Sequence, residues 1–405
     1  MIYKHPVEIP KSYIYNNFEW TGKRVPCATP RIRGDTYPMT WAADGEIYLA
    51  SGDPNWYYDD NGEVVTSDGY SRGFVEDSVY RRISGMSVEK ITGPPENFEL
   101  TRVNDMLGFT GGGGSGPKPC GMISVDGTLY LAVQNLLGNK PPRYREHSQH
   151  GSDASILASK DYGKTWSPDI SPILMKMEAE QYDRVGYKNW MGWKTPPEAR
   201  TEYEGWKPMF PGSLFGGPSF VQFGQDNRGA LDEYVYAVSA DHWDNGSEMR
   251  LGRVHKSKIQ DAAEWEYALT EGKGDVSWHK GLEISKPVLT IEAHMSLPEM
   301  MYIPSVKKYL LLTWALHQDF GGDTGSELTI LESNNMWGPF GLVYYEWMWY
   351  KQKAVCYCPR IPLKWFDYEN LTGWLEFSGT WASQDYYYKP QIMPFTLELE
   401  KGGKS

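Results

Sequence analysis

The chain has 405 residues and a formal net charge of −12. This charge argues against a protein that binds nucleic acids or anionic membrane surfaces, because such partners repel an acidic surface. Aromatic residues make up 14% of the chain, which favours β structure and permits the stacking of sugar rings on Trp and Tyr. We expect no nucleic-acid partner, and no membrane partner either, because no run of about 18 apolar residues occurs.

The compartment stays open at this stage. The segment 1–10 is polar and lacks the apolar core of a signal peptide. This pattern indicates either a cytoplasmic protein or a secreted protein whose signal has been removed. The spacing of Cys356 and Cys358 suits neither a metal site nor a short disulfide, so we expect buried free thiols. The oligomeric state is not predicted.

A hairpin pattern recurs five times along the chain. Its clearest copy runs from Asp35 to Asp53 around an Asp44-Gly45 turn. Apolar segments of strand length then recur at intervals of about 50 to 100 residues, which is typical of propeller blades. We predict an all-β protein, a five-bladed β-propeller that forms a single domain with loop insertions.

The predicted domain covers residues 1–405. The segment 1–34 is expected to pair with the last blade and close the ring, which would leave no free sheet edge. The five predicted blades are approximately 35–105, 117–175, 216–290, 297–348 and 357–400.

One turn of the second blade has a recognisable pattern. The segment from Ser159 to Trp166 matches Ser-x-Asp-x-Gly-x-Thr-Trp, the Asp-box of sialidase-like propellers. Asp161 of this segment is expected to form the turn by accepting hydrogen bonds from the local backbone. The pattern therefore predicts a hairpin and indicates no particular chemistry.

The first hairpin contains a candidate pair of carboxylates. Asp35 lies nine residues before Asp44 and Asp53 lies nine residues after it, so an antiparallel pairing brings both to the same end. Two like charges across a ladder destabilise it unless one is protonated or both serve a purpose. Such a pair supplies the acid and the base of glycoside cleavage. The alternative is that Asp35 caps a turn and Asp53 lies in a solvated loop.

The same ends of the other blades carry further polar residues. As catalytic candidates we add Asp241 and Glu299 to Asp35 and Asp53, although each added residue is equally compatible with a structural role. Trp56 and Trp243 lie in predicted loops and are candidates for stacking on a sugar ring. The candidates for substrate binding are Lys118, Asn135, His242, His294 and Arg360.

Other chemistries have little support. The sequence contains no nucleophile elbow, no paired Cys-x-x-Cys motif, no zincin motif and no dinucleotide-binding fingerprint. Asp319 and Asp323 are oxygen ligands that suit Ca²⁺, but a solvated turn is the favoured interpretation. We therefore predict no cofactor and no metal site.

Several segments resemble a known family. The Arg-Gly-Asp-Thr sequence that ends at Thr36, the later Gly52-Asp53, the Trp-Gly-Pro of 337–339 and the strand from Pro359 to Pro362 are similar to the DUF4185 propeller domains, which include endo-acting D-arabinan hydrolases. The resemblance implies a five-bladed propeller with Asp35 and Asp53 as the catalytic pair. A sialidase is disfavoured, because the arginine triad of that family cannot be assembled here.

Three functions follow from these patterns. The first is a glycoside hydrolase that cleaves a polysaccharide or oligosaccharide through the Asp35 and Asp53 carboxylates. The second is a polysaccharide lyase for uronate-containing glycans, in which His294 or His242 and Arg360 would matter more than the aspartates. The third is a non-catalytic carbohydrate-binding propeller with aromatic loops. All three have a carbohydrate partner.

Overall fold

The computed structural model describes most of the chain. The described residues are 5–29, 32, 34–52, 56–58, 64–66, 86–106, 117–137, 151–174, 176–177, 200–271, 274–317, 325–349, 356–379 and 389–400. These residues include no helix that is long and apolar enough to cross a membrane.

Among the described residues, five antiparallel sheets of three or more strands follow one another along the chain as the blades of a propeller, which confirms the predicted fold class. A separate two-stranded sheet, formed by residues 56–58 and 64–66, lies between strands of the first blade in the sequence. Each blade begins with its innermost strand and continues outward through neighbouring strands. The strands of the first two blades and of the preceding segment are β1 (Tyr15–Trp20), β2 (Val25–Pro26), β3 (Met39–Trp41), β4 (Ile47–Gly52), β5 (Trp56–Tyr58), β6 (Val64–Thr66), β7 (Met86–Thr92), β8 (Glu99–Asn104), β9 (Lys118–Val125), β10 (Thr128–Gln134) and β11 (Ser155–Ser159).

The remaining strands build the third, fourth and fifth blades. They are β12 (Ser219–Phe220), β13 (Tyr234–Ala240), β14 (Gly246–His255), β15 (Glu266–Glu271), β16 (Asp275–His279), β17 (Leu289–Met295), β18 (Glu299–Ile303), β19 (Lys308–Leu316), β20 (Ser326–Ser333), β21 (Gly341–Glu346), β22 (Tyr357–Arg360), β23 (Thr372–Ser378) and β24 (Gln391–Leu399). We call the end at which the innermost strands β3, β9, β12, β18 and β22 begin the upper face, and the opposite end the lower face.

The fifth blade is built from both ends of the chain. β24 pairs with β23 on one side and with β1 on the other, so that Tyr15 lies opposite Leu399 and Trp20 opposite Phe395. β2 also pairs with β24. The N-terminal segment therefore supplies the outermost strand of the last blade, and β24 has no open edge along this stretch.

A loop of the third blade covers the lower end of the central channel. Residues 221–233 join β12 to β13. The Gln222 side chain donates to the Met122 carbonyl, and the Gln225 side chain donates to the Ala42 carbonyl. One Asp226 carboxylate oxygen accepts hydrogen bonds from the Ser124 hydroxyl at 2.7 Å and the Gly127 amide at 3.0 Å. The loop thus ties the third blade to the first two at the lower end of the channel.

The core lies on the faces that adjacent blades bury against each other. All six residues of β4 and all eight of β9 are buried, because both faces of these strands are covered. The largest buried side chains include Trp243, Trp265 and Trp314. The cysteines Cys27, Cys120, Cys356 and Cys358 are buried free thiols.

The Ser159–Trp166 segment forms a tight turn after β11. The Asp161 carboxylate accepts hydrogen bonds from the Thr165 amide at 2.9 Å and the Thr165 hydroxyl at 2.7 Å, and the Ser159 hydroxyl donates to it at 2.8 Å. All of these partners lie within four residues of Asp161. The side chain therefore acts locally, as a turn former.

Candidate active site

Asp35 lies at the upper end of the channel, immediately before the innermost strand of the first blade. Its amide and carbonyl both bond to Gly52, at 2.8 Å each. Beyond it, Met39 lies opposite Leu49. The register of β3 and β4 alone would place Asp35 opposite Asp53, but the structure places it opposite Gly52, one residue away.

The shift has a local cause. Thr36 and Tyr37 both have positive φ angles, 63° and 36°, and the Tyr37 amide donates to the Asp35 carbonyl. This left-handed turn takes up one residue more than a regular strand would. Asp53 itself lies outside the described residues.

The Asp35 side chain is 7% exposed and is held by a phenol from the fifth blade. The Tyr357 hydroxyl donates to Asp35 Oδ2 at 3.2 Å. The Tyr357 ring packs against Trp314 and Trp243, with centroids 5.6 and 5.8 Å away. Burial, together with the nearby Asp35 carboxylate, holds the pKa of Tyr357 well above its usual value. Tyr357 therefore remains a hydrogen-bond donor and orients the carboxylate.

A buried ion pair lies further down the channel wall. Arg360 Nη1 donates to Glu299 Oε2 at 2.8 Å, and Arg360 Nε donates to the Thr36 carbonyl at 2.9 Å. The Ile361 amide donates to the second Glu299 oxygen at 3.2 Å. Burial raises the pKa of Glu299, and Arg360 opposes that rise. The pair joins the fourth, fifth and first blades and supports the turn that follows Asp35.

Glu376 is a buried carboxyl group that sequence analysis missed. It lies on β23 directly opposite Arg360 and is 1% exposed. Burial holds its pKa well above the usual value; Arg360 lowers this pKa and Glu299 raises it. The available signal was an acidic residue inside the apolar run Trp374–Phe377. A glutamate is rarely buried unless it is paired, so its presence in a buried strand indicates a partner.

In the second blade, Lys118 and Asn135, the predicted substrate-binding candidates, are both buried at the upper end. The Asn135 amide donates to the Ser152 carbonyl at 2.6 Å. A neighbouring carboxylate, Asp153, was not predicted; its Oδ1 accepts from the Gly212 amide at 2.8 Å. Asn135 and Asp153 both have positive φ angles, so these connections are turns that the alternation of strand residues does not reveal.

In the third blade, the predicted residues follow β13. Asp241 Oδ1 accepts hydrogen bonds from the Ser247 and Glu248 amides, at 2.9 and 3.1 Å, so this oxygen shapes the local turn. His242 is half-buried beside it. Trp243 is 2% exposed, so the expectation of a loop ring open to sugar was wrong. Its ring packs against Trp314 at 5.1 Å instead. The side chain of Trp56 lies outside the described part of the chain, as do Asp319 and Asp323.

His294 lies away from the innermost strands. It was predicted to bind substrate at a blade end, and it lies on β17, which pairs with β14 of the third blade. His294 Nδ1 lies 2.5 Å from Glu327 Oε1, and the Tyr345 hydroxyl donates to Glu327 Oε2 at 2.8 Å. Glu327 is a further buried carboxylate that sequence analysis missed. His294 therefore belongs to a polar cluster between two blades and not to the surroundings of Asp35.

The sequence matches no protein-family model and no curated protein. Solved structures are similar in fold. An α-L-arabinofuranosidase from Podospora anserina is 11% identical, with a TM-score of 0.43 over 98% of this chain and 99% of that one. A xylan β-1,4-xylosidase from Bacillus halodurans is 13% identical, with a TM-score of 0.46 over 93% of this chain and 57% of that one. A family 117 glycoside hydrolase from Zobellia galactanivorans is 10% identical, with a TM-score of 0.40 over 95% of this chain and 91% of that one. At these identities the similarity concerns the fold alone.

Proposed function

We propose that the chain is a glycoside hydrolase in which Asp35 is one of two catalytic carboxylates. The observation that carries the proposal is the setting of Asp35 at the upper end of the channel, where the Tyr357 hydroxyl orients its carboxylate at 3.2 Å. Beneath it, Arg360 is occupied by Glu299 and by the carbonyl of Thr36. Asp35 is thus fixed in position by Tyr357, a residue of another blade.

Asp53 is proposed as the second carboxylate. It directly follows Gly52, the residue that forms both backbone hydrogen bonds with Asp35. Glycoside hydrolysis needs one carboxylic acid to protonate the leaving oxygen and one carboxylate to attack the anomeric carbon or activate water. Asp35 and Asp53 would share these roles, in an order that we leave unassigned. The resemblance of the first blade to arabinan hydrolases makes arabinan the first substrate to test.

The lyase alternative has less support from the described geometry. A lyase needs a cation beside the uronate carboxylate, but Arg360 already binds Glu299. His294 pairs with Glu327 between two blades, which engages the ring nitrogen Nδ1. The non-catalytic alternative loses one of its proposed stacking rings, because Trp243 is buried.

The test compares Asp35→Asn with Asp44→Asn. Asp44 lies in the same hairpin at the lower end, where it accepts hydrogen bonds from the Glu46 amide and the Tyr48 hydroxyl. The substrates tested are arabinan, xylan and uronate-containing glycans. We expect the wild type to release reducing ends from at least one of them. Asp35→Asn should lower that rate by about 10²- to 10⁴-fold, since it removes one acid or base, and Asp44→Asn should not.

Full activity of Asp35→Asn would contradict the proposed role of this carboxylate. An ultraviolet-absorbing unsaturated product would show a lyase instead. Binding to a glycan without any release of reducing ends would favour the non-catalytic propeller.

A further inference from the structure

Trp347 is exposed on the upper face of the fourth blade. It follows Glu346, the last residue of β21, which lies opposite Leu328 near the beginning of β20. This is the end of the blade at which β18 begins, so Trp347 and Asp35 share a face. Its side chain is 41% exposed, and it is the one exposed tryptophan among those that the structure describes.

The indole ring is supported from behind. It stacks on the imidazole of His317, with ring centroids 3.7 Å apart and planes inclined by 15°. The His317 side chain is 8% exposed, and its Nε2 lies 3.8 Å from Glu327 Oε2. Glu327 is in turn anchored by the Tyr345 hydroxyl and by His294. A chain of buried polar groups thus holds the ring that supports Trp347.

The backbone on both sides of Trp347 is also fixed. The buried Glu346 carboxylate accepts hydrogen bonds from Trp20 Nε1 at 3.0 Å and from the Tyr344 hydroxyl at 2.7 Å. Two residues further on, Trp349 is buried and its ring lies 5.2 Å from Phe377. Trp347 is therefore exposed on a segment whose residues on both sides are anchored.

We propose that Trp347, supported by His317, is a binding platform for a sugar ring of a glycan chain. An indole offers a flat apolar surface that the C–H face of a sugar ring covers. Because the ring is already held in place, little conformational entropy is lost when the sugar binds. The assignment of the glycan as the substrate rests on the proposed function, in which a polymer binds across the upper face and is cleaved at Asp35.

The test measures binding without cleavage. All variants are made in the Asp35→Asn background and run by affinity electrophoresis in gels containing soluble arabinan, xylan or polygalacturonate. We expect at least one polysaccharide to retard the parent protein. Trp347→Ala should weaken that interaction by about three- to tenfold, the range expected for one aromatic contact. Trp347→Phe should retain most of it, and His317→Ala should lose part of it.

Tyr13→Ala is the matched control, because Tyr13 is an exposed aromatic residue that precedes the lower end of β1. It should leave the retardation unchanged, and melting temperatures should show that every variant is folded. Equal retardation of the parent and Trp347→Ala would overturn the platform, as would a lack of retardation in every gel. Hydrolysis is assayed separately in the wild type. Binding that depends on Trp347 without any hydrolysis would contradict the enzyme and leave the platform standing.

Discussion

At the scale of single residues, two buried carboxyl groups, those of Glu299 and Glu376, lie near the single guanidinium of Arg360. Arg360 carries one positive charge, while Glu299 and Glu376 together carry up to two negative charges at the same level. The Glu299 carboxylate accepts hydrogen bonds from the Arg360 guanidinium and from the Ile361 amide. No hydrogen bond from a described residue reaches either oxygen of Glu376. Glu376 is therefore the group that retains a proton, since a second ionised carboxylate would be buried without compensation.

This assignment predicts how Glu376→Gln changes stability with pH. The usual pKa of the Glu376 carboxyl is 4.5, and burial raises it well above that value in the folded state. As the pH rises above about 4.5, the unfolded chain ionises this group while the folded protein keeps it protonated, so the free energy of unfolding falls. Glutamine cannot ionise and removes this loss. We expect Glu376→Gln to match the wild type near pH 4 and to be more stable at pH 8 in urea unfolding.

Glu398→Gln serves as the control, because Glu398 is an exposed residue in the same blade. It should leave the difference between pH 4 and pH 8 unchanged. A Glu376→Gln protein that is less stable than the wild type at pH 8 would show that the carboxylate is ionised and has a partner.

At the scale of elements, the loop 221–233 ties three blades together at the lower face. Asp226 is its main anchor, since one oxygen satisfies both the Ser124 hydroxyl and the Gly127 amide. Asp226→Ala leaves these buried groups without an acceptor, which costs about 1–3 kcal/mol of unfolding free energy. Asp226→Asn keeps an acceptor oxygen and should recover part of the loss. Denaturant unfolding measures both.

Leu231→Ala changes an exposed residue of the same loop and should have no effect on stability. On the proposed function, the substrate enters from the upper face, so folded Asp226→Ala protein should retain its rate of glycan cleavage. Loss of cleavage with unchanged stability would place the substrate at the lower face instead.

The element scale also shows how far sequence reasoning reached. Alternating apolar segments and the Asp44-Gly45 turn predicted the β3–β4 hairpin, because strand pattern and turn chemistry are local. Between Met39 and Asp35 the register shifts by one residue, which this counting does not reveal. Two residues with positive φ, Thr36 and Tyr37, adopt a turn that their side chains do not indicate.

The candidate site was less accessible to prediction than the fold. Asp35, Glu299 and Arg360 were identified as polar residues at strand ends, but their pairing depends on contacts between blades, such as that between Tyr357 and Asp35. Glu376 was missed because it lies within an apolar strand and not at a strand end. The pKa of Glu376 depends on Arg360, which lies opposite it on the neighbouring strand. The sequence of β23 alone does not show this pairing.

At the scale of the whole molecule, ring closure depends on the strand β1. Phe18 of this strand is 2% exposed and stacks on Phe395 of β24, with centroids 4.9 Å apart. It also lies 4.6 Å from the ring of Tyr344, on the outer strand of the fourth blade. One side chain thus packs the N-terminal strand against the fifth blade and against its neighbour.

Phe18→Ala should therefore destabilise the ring as a unit. Truncating a buried phenylalanine costs about 3–5 kcal/mol. If the blades unfold together, tryptophan fluorescence and far-ultraviolet circular dichroism will report one shared transition at a lower denaturant concentration than in the wild type. Tyr13→Ala, which changes a side chain that is 81% exposed, should leave the midpoint in place. Two separate transitions in Phe18→Ala would instead show that β1 detaches while the other blades stay folded, so that closure would stabilise only the fifth blade.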